Sequence, residues 1–204
     1  MGINQSQNRK IIKFGVFCIL ASLFNLLLST FVMNFLMFPL FLDTVFSAAV
    51  AFAFGPIPGI IVAVLSWFIP NIYYFSIGFG INFFVLCSIA EVLLVCALKP
   101  PAPDISDFPS KEKVVASYTG LASRLMLLYI VCAITISVLG GLLDFLSKYP
   151  VYFSAEDNFK PALIMNNLPV LAVNMLSRIP VNIVDRFIVI FGGYFISRGL
   201  VKIP

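Results

Sequence analysis

The chain has 204 residues, of which 61% are hydrophobic and only 11% are charged, and its net charge is +4. A soluble domain needs a far more charged surface, so the composition excludes a water-soluble globular protein and indicates an integral membrane protein. Nucleic-acid binding is also disfavoured, because the chain has no basic, aromatic-rich soluble module. A helix needs about 20 apolar residues to span a bilayer, so the length allows five or six spans in one transmembrane domain, 1–204.

Apolar runs separated by polar or proline-rich breaks predict an all-α bundle of six transmembrane helices. In chain order the predicted spans are 14–34, 44–54, a third that ends at 74, a fourth that ends at 98, 118–143 and 168–196. The first run is longer than a signal-peptide core and has no small-residue cleavage site, so we expect it to be retained.

Proline and glycine mark the breaks between the early spans. The second span is short, and GPIPG at 55–59 predicts a tight turn after it. Pro70-Asn71 is expected to interrupt the third span, and SIGFGIN at 76–82 opens the fourth. These features predict a bundle in which not every span is a regular helix.

Two polar connections separate the later spans. The segment 99–117 begins with the proline-rich stretch KPPAPDISDFPSKEK and is predicted to be a cytoplasmic loop. The segment 144–165 contains tyrosine and phenylalanine, which favour the membrane interface, and is predicted to be an outer loop.

Positive charges predict the orientation, because cytoplasmic loops hold an excess of lysine and arginine. Eight of the thirteen cations fall on the side that we assign to the cytoplasm: Arg9, Lys10, Lys13, Lys99, Lys111, Lys113, Arg198 and Lys202. The opposite side has only Lys148 and Lys160. Six spans with both termini in the cytoplasm of a bacterial inner membrane fit this pattern, whereas five spans break it.

Six charged residues lie within or at the edge of predicted spans: Asp43, Glu91, Arg124, Arg178, Asp185 and Arg186. A charge near the bilayer centre costs at least about 2.5–3.5 kcal/mol, so it is usually kept for a site or a partner. Three charges of each sign predict internal pairing. We expect Asp185 and Arg186 to form an ion pair or a docking contact, and Glu91 to pair with Arg124.

The last span carries four polar groups on one predicted helical face. They are Asn174, Arg178, Asn182 and Asp185. Pro180 is expected to kink this helix and to open carbonyl groups to a cavity. In one interpretation the first three residues line an outward-facing pocket in which the arginine grips an anionic or carbonyl group. In the other, Arg178 neutralises Glu91 or Asp185 and the asparagines hold helices together.

Three further residues complete the predicted binding set. Asp43 lies at the outer start of the second span, and Asn167 directly precedes the sixth. Trp67 belongs to an outer aromatic group with Tyr73, Tyr74 and Phe79. These rings either stack on a flat ligand or form an interfacial belt, and the belt is the favoured interpretation.

Catalysis and metal binding find no support in the sequence. Histidine is absent, and no P-loop or GxSxG motif is present. The four cysteines lie inside apolar runs without a CxxC pair, which is typical of buried small side chains: Cys18, Cys87, Cys96 and Cys132. We therefore expect no enzyme, no cofactor and no ATP hydrolysis by this chain.

The segment PLFLDTVFSAAVAFAFGPIPGIIVAVLS at 39–66 resembles the second and third spans of substrate-binding S components of energy-coupling-factor (ECF) transporters. In that family a Pro-Leu-x-Leu-Asp-Thr opening leads to a Gly-Pro-x-x-Gly turn. The resemblance implies capture of a vitamin or similar micronutrient, with docking on a membrane coupling subunit driven by two ATPase subunits. It also implies that 35–43 is a gating loop.

S components carry an Ala-x-x-x-Ala motif against the coupling subunit, and this chain departs from it. The nearest matches are Cys18-x-x-x-Ser22 and Ala49-x-x-x-Ala53, whose small side chains permit close helix approach. The resemblance therefore implies partner docking at these four positions.

Two alternatives stay open beside uptake. One is a ligand-sensing membrane module that reports to a signalling partner, and the other is a stand-alone transporter of small solutes. The sequence ends at Pro204 without a cytoplasmic output domain, which favours uptake over sensing.

Overall fold

A computed structural model describes residues 5–36, 38, 40–76, 83–101, 111–147 and 159–201. Within these ranges the chain folds into helices and turns, without a strand. The helices are α1 (Gln5–Asn34), α2 (Val45–Phe54), α3 (Pro56–Ser76), α4 (Val85–Leu98), α5 (Lys111–Leu146), α6 (Lys160–Met165), α7 (Val170–Leu176) and α8 (Ile179–Leu200). The predicted all-α class is confirmed for this part of the chain.

Among the described residues, three segments are long and apolar enough to cross a membrane: Lys13–Asn34, Val114–Leu146 and Val170–Leu200. Their outward faces are apolar, and Leu27 and Ile134 remain 64% and 60% exposed. Such continuous apolar surface is unfavourable in water but is suited to lipid. The protein is therefore embedded in a membrane.

The short helix α2 forms the centre of the bundle. Most of its side chains are buried, and its alanines let neighbouring backbones come close. A Cβ added at Gly193 of α8 would lie 3.1 Å from the Cβ of Ala48, and one at Gly59 of α3 would lie 2.8 Å from that of Ala51. At about 1.5 Å per residue, these ten residues cover only about half of the hydrocarbon layer. The prediction of a short second helix is confirmed.

Buried polar contacts tie the first three helices together. Asn25 of α1 is completely buried, and its amide donates to the hydroxyls of Ser47 (2.9 Å) and Ser66 (3.0 Å). Its carbonyl accepts a hydrogen bond of 2.8 Å from the backbone N–H of Phe46. Because these groups satisfy one another away from water, they fix α1 against α2 and α3.

Three predicted boundaries were wrong. Only Gly55, with φ of 94°, separates α2 from α3, and Pro56 already begins the next helix. Pro70 lies inside α3 without ending it, because a proline removes one hydrogen bond but packing of the flanking turns keeps the helix continuous. Helix α5 begins at Lys111, so residues 111–117 are helical instead of part of a loop.

The predicted sixth span is divided. Helix α7 ends at Leu176 and α8 begins at Ile179, with Ser177 and Arg178 in a turn between them. Pro180 lies in the first turn of α8, where its missing N–H breaks no intrahelical bond. The kink that was expected at Pro180 is thus a turn that precedes it. As a result, Asn174 belongs to α7, whereas Asn182 and Asp185 belong to α8.

Candidate functional site

A polar cavity of about 430 Å³ lies within one end of the bundle. The C-terminal halves of α1, α3 and α5 meet the N-terminal ends of α2, α4 and α8 around it. Its wall combines apolar side chains with polar and aromatic ones that include Asp43, Thr44, Trp67, Asn71, Arg178 and Asn182. Ligand sites in proteins usually combine an apolar wall with a few placed polar groups, so this cavity is the candidate site.

A buried ion cluster centred on Arg186 forms the floor of the candidate site. The guanidinium forms ion pairs with Glu91 of α4 and with its neighbour Asp185. It also donates to the hydroxyl of Thr44 at 3.1 Å. Glu91 and Asp185 are both completely buried, so each carboxylate depends on the arginine for its counter-charge.

The same cluster holds the segment that leads into α2. One oxygen of Asp185 accepts hydrogen bonds from the backbone N–H groups of Phe41 (3.1 Å) and Leu42 (2.9 Å). Leu42 adopts φ of 44°, a left-handed conformation that a branched residue rarely adopts. The carboxylate therefore stabilises a backbone turn beside Asp43 and Thr44.

Arg178 also lines the cavity and connects the start of α8 to α5. Its guanidinium donates to Asp144 at 2.8 Å, and Lys160 approaches the same carboxylate at 3.5 Å. The guanidinium carbon lies 4.8 Å from the ring centroid of Phe84. Gly140 leaves the necessary space, since a Cβ there would lie 3.1 Å from the guanidinium.

Two amides complete the polar wall. Asn182 donates to the hydroxyl of Ser137 on α5 at 2.9 Å. Asn71 donates to the backbone carbonyl of Trp67 at 2.8 Å, while its own side-chain oxygen accepts no hydrogen bond. Asn71 was predicted to interrupt a helix, and its position in the cavity wall was missed by the sequence analysis.

The structure brings together four of the six residues that were predicted to bind substrate. Asp43, Trp67, Arg178 and Asn182 all line the cavity. Asn174 is half-buried one turn earlier on α7 and is not among the described lining residues. Asn167 is exposed in the turn after α6, with φ of 58°. Substrate binding by any of them stays a prediction.

The predicted partners of the buried charges were partly wrong. The Asp185–Arg186 ion pair is confirmed. Glu91 pairs with Arg186 and not with Arg124, which is exposed on the outer face of α5. Arg178 pairs with neither Glu91 nor Asp185, because the break before α8 directs it toward the end of α5.

The predicted docking residues lie mainly inside the bundle. Cys18, Ser22 and Ala49 are buried, while Ala53 is half-buried. Cys18 packs in a cluster with Ala21, Val50 and Val62, so the close approach that it permits is made with this chain's own helices. Partner docking at these positions stays a prediction.

A second cavity of about 490 Å³ lies between α5, α7 and α8. Its wall is apolar, and its serine, Ser137, already donates to the carbonyl of Ala133 at 2.7 Å and accepts from Asn182. Several of its lining side chains, such as Ile134 and Ile183, face the surrounding lipid. It therefore lacks the polar groups that would orient a solute.

No family model matches the sequence, and no curated protein or solved structure matches it either. The geometry of the polar cavity is therefore the main indication of function.

Proposed function

We propose that this protein is the membrane-embedded substrate-binding subunit of an ECF-type importer for a vitamin or similar micronutrient. Separate ATPase and coupling subunits would supply the energy. The observation that carries the proposal is the cavity of about 430 Å³, which is lined by charged, amide and aromatic side chains from five helices and from the segment that leads into α2. Such a cavity suits one small polar molecule far better than lipid.

The distribution of positive charge supports an outward-facing cavity. The ends of α1, α4, α5 and α8 that lie away from the cavity carry the basic residues Lys13, Lys99, Lys111 and Arg198. Cytoplasmic ends of membrane helices are enriched in such residues. We accordingly place both termini in the cytoplasm of a bacterial inner membrane, with six crossings and the cavity on the outer side.

The segment between α1 and α2 supports solute capture. Phe41, Asp43 and Thr44 line the cavity, and the segment is fixed to α8 through the hydrogen bonds to Asp185. A change in these few bonds would alter access to the cavity without unfolding a helix. The segment 35–43 is thus proposed to gate the site, although Met37 and Pro39 lie outside the described residues.

Native mass spectrometry of the protein, purified gently from its own membranes, tests the proposal. We expect a bound small molecule together with a coupling subunit and two ATPase subunits. A ligand-bound protein associated with a kinase or another output protein would instead establish a sensor. A protein that carries a ligand and transports it without partners would establish a stand-alone transporter, and the absence of any ligand would refute solute binding.

A further inference from the structure

The charges around the cavity floor do not balance. Arg186 is a single cation, yet it contacts two carboxylates, those of Glu91 and Asp185. Asp43 supplies a third carboxylate: it lines the same cavity and directly precedes Thr44, which accepts a hydrogen bond from Arg186. Three carboxylates against one guanidinium leave a formal excess of two negative charges. Such an excess is costly at low dielectric, and either a bound proton or an approaching cation relieves it.

Asp43 is the carboxylate that can receive this cation. It forms no ion pair with any residue that the structure describes, whereas Glu91 and Asp185 are engaged by Arg186. Arg178, the other cation of the wall, is directed to Asp144 at 2.8 Å. Both arginines of the cavity wall therefore already have carboxylate partners, whereas Asp43 has no ion-pair partner among the described residues.

Asn71 supplies a second and independent acceptor. It is only 7% exposed and lines the same cavity, and its Oδ1 accepts no hydrogen bond. Its amide nitrogen must be the donor to the carbonyl of Trp67, so the orientation of the amide is fixed and its oxygen can only accept. A buried acceptor left without a donor is destabilising, and a ligand N–H group would recover that loss.

We propose that the cavity selects a ligand that carries a protonated amine on a flat apolar group. The amine forms an ion pair with Asp43 and donates a hydrogen bond to Asn71, and the flat group packs on Trp67 and Phe84. Both rings line the cavity, and aromatic faces also attract cations. This inference rests on the proposed function, since it names the solute class for that site. It replaces the predicted grip of Arg178 on an anion.

The test uses three probes that share a phenyl group and differ in charge: 2-phenylethylamine, 2-phenylethanol and 3-phenylpropionate. Trp67 is the single tryptophan of the chain and lines the cavity, so its fluorescence reports occupancy of the purified protein in detergent. We expect the amine to bind at least about tenfold more tightly than the alcohol and the acid, as one charged hydrogen bond would give.

Four variants test whether Asp43 and Asn71 produce the preference for the amine. Asp43→Asn should reduce amine affinity to that of the alcohol, and Asn71→Leu should weaken the amine selectively. Asp43→Glu should retain the preference, and Asp107→Asn, which removes the same charge from the polar segment 99–113, should leave it unchanged. Because Asp43 adds to an uncompensated excess, Asp43→Asn should also raise the melting temperature of the unliganded protein, which excludes unfolding as the cause of lost binding.

Either of two results would overturn the inference. One is that the alcohol or the acid binds as tightly as the amine or more tightly, and the other is that the amine gives no saturable fluorescence response. An amine preference that survives Asp43→Asn would overturn it as well. The uptake proposal fails separately, through the absence of a bound molecule in native mass spectrometry. A neutral or anionic co-purified molecule would reject the amine class while leaving uptake in place.

Discussion

The carboxylate of Asp185 holds the backbone of Leu42, a residue 143 positions earlier in the sequence, through a hydrogen bond of 2.9 Å from the Leu42 N–H. The same carboxylate pairs with Arg186, so one side chain joins the ion cluster to the entrance segment of α2. The stability of the cluster and the conformation of this segment are therefore coupled.

Asp185→Ala should loosen the entrance segment as well as destabilise the fold. We expect the free energy of unfolding to fall by about 3–5 kcal/mol, because Arg186 is left with Glu91 as its one carboxylate partner and two backbone N–H groups lose their acceptor. Hydrogen exchange should rise at Phe41 and Leu42. Asp185→Asn retains an acceptor and should protect these amides better, so equal exchange in the two variants would contradict the proposed coupling.

Arg186→Met should be more damaging than Glu91→Gln. Removing the guanidinium leaves two completely buried carboxylates without a counter-charge, which costs about 3–5 kcal/mol or more. Glu91→Gln keeps the pair of Arg186 with Asp185 and a neutral acceptor in place, so we expect a loss of only about 1–3 kcal/mol. Melting temperatures in detergent give the order, and the reverse order would show that Arg186 does not organise the cluster.

Arg178 and Asp144 should behave as a coupled structural pair. Their side chains are largely buried and 2.8 Å apart, so Asp144→Leu alone should cost about 3–5 kcal/mol, and Arg178→Met should cost less because Lys160 lies 3.5 Å from the same carboxylate. The double variant should recover most of this loss, because neither charge is then left alone. Additive losses in the double-mutant cycle would contradict the pairing and would return Arg178 to a role in gripping the ligand.

The sequence predicts much of the helix content because apolar runs of bilayer length are a strong signal. It also predicts that buried charges pair, since an isolated charge in lipid is costly; Glu91, Asp185 and Arg186 do so, whereas Asp43 has no ion-pair partner among the described residues. The partners were harder to predict. Asp144 falls at the start of a segment predicted as a loop, yet α5 continues to Leu146 and brings its carboxylate to Arg178.

The predicted polar face of the last span shows why the site was only partly predictable. A period of 3.6 residues places Asn174 in line with Asn182 only if one regular helix contains both. Asn182 of α8 lines the cavity, whereas Asn174 of α7, on the other side of the turn at Ser177 and Arg178, is not among the described lining residues. Asn25 carried a usable signal, because an amide in the middle of an apolar span needs buried partners.

Gly141 should be intolerant of any side chain. A Cβ there would lie 2.6 Å from the Cα of Met175, so Gly141→Ala must push the backbone of α7 away from α5. We expect a loss of about 1–3 kcal/mol, as for other overpacked cores. Gly120→Ala on the same helix is the matched control, because nothing lies within 4 Å of its added Cβ. A melting temperature that falls equally in both variants would attribute the loss to helix α5 itself and not to its contact with α7.

The proposed orientation can be tested with single cysteines in a background in which the four native cysteines are replaced by alanine or serine. Asn166 is exposed after α6, and Asn166→Cys should react with a membrane-impermeant thiol reagent in intact cells. Ser110→Cys, in the segment predicted to be cytoplasmic, should react only after permeabilisation, because the excess of basic residues retains that side in the cytoplasm. Labelling of Ser110→Cys in intact cells would invert or abolish the six-span arrangement, and the cavity would then open toward the cytoplasm, where it could not capture an external nutrient.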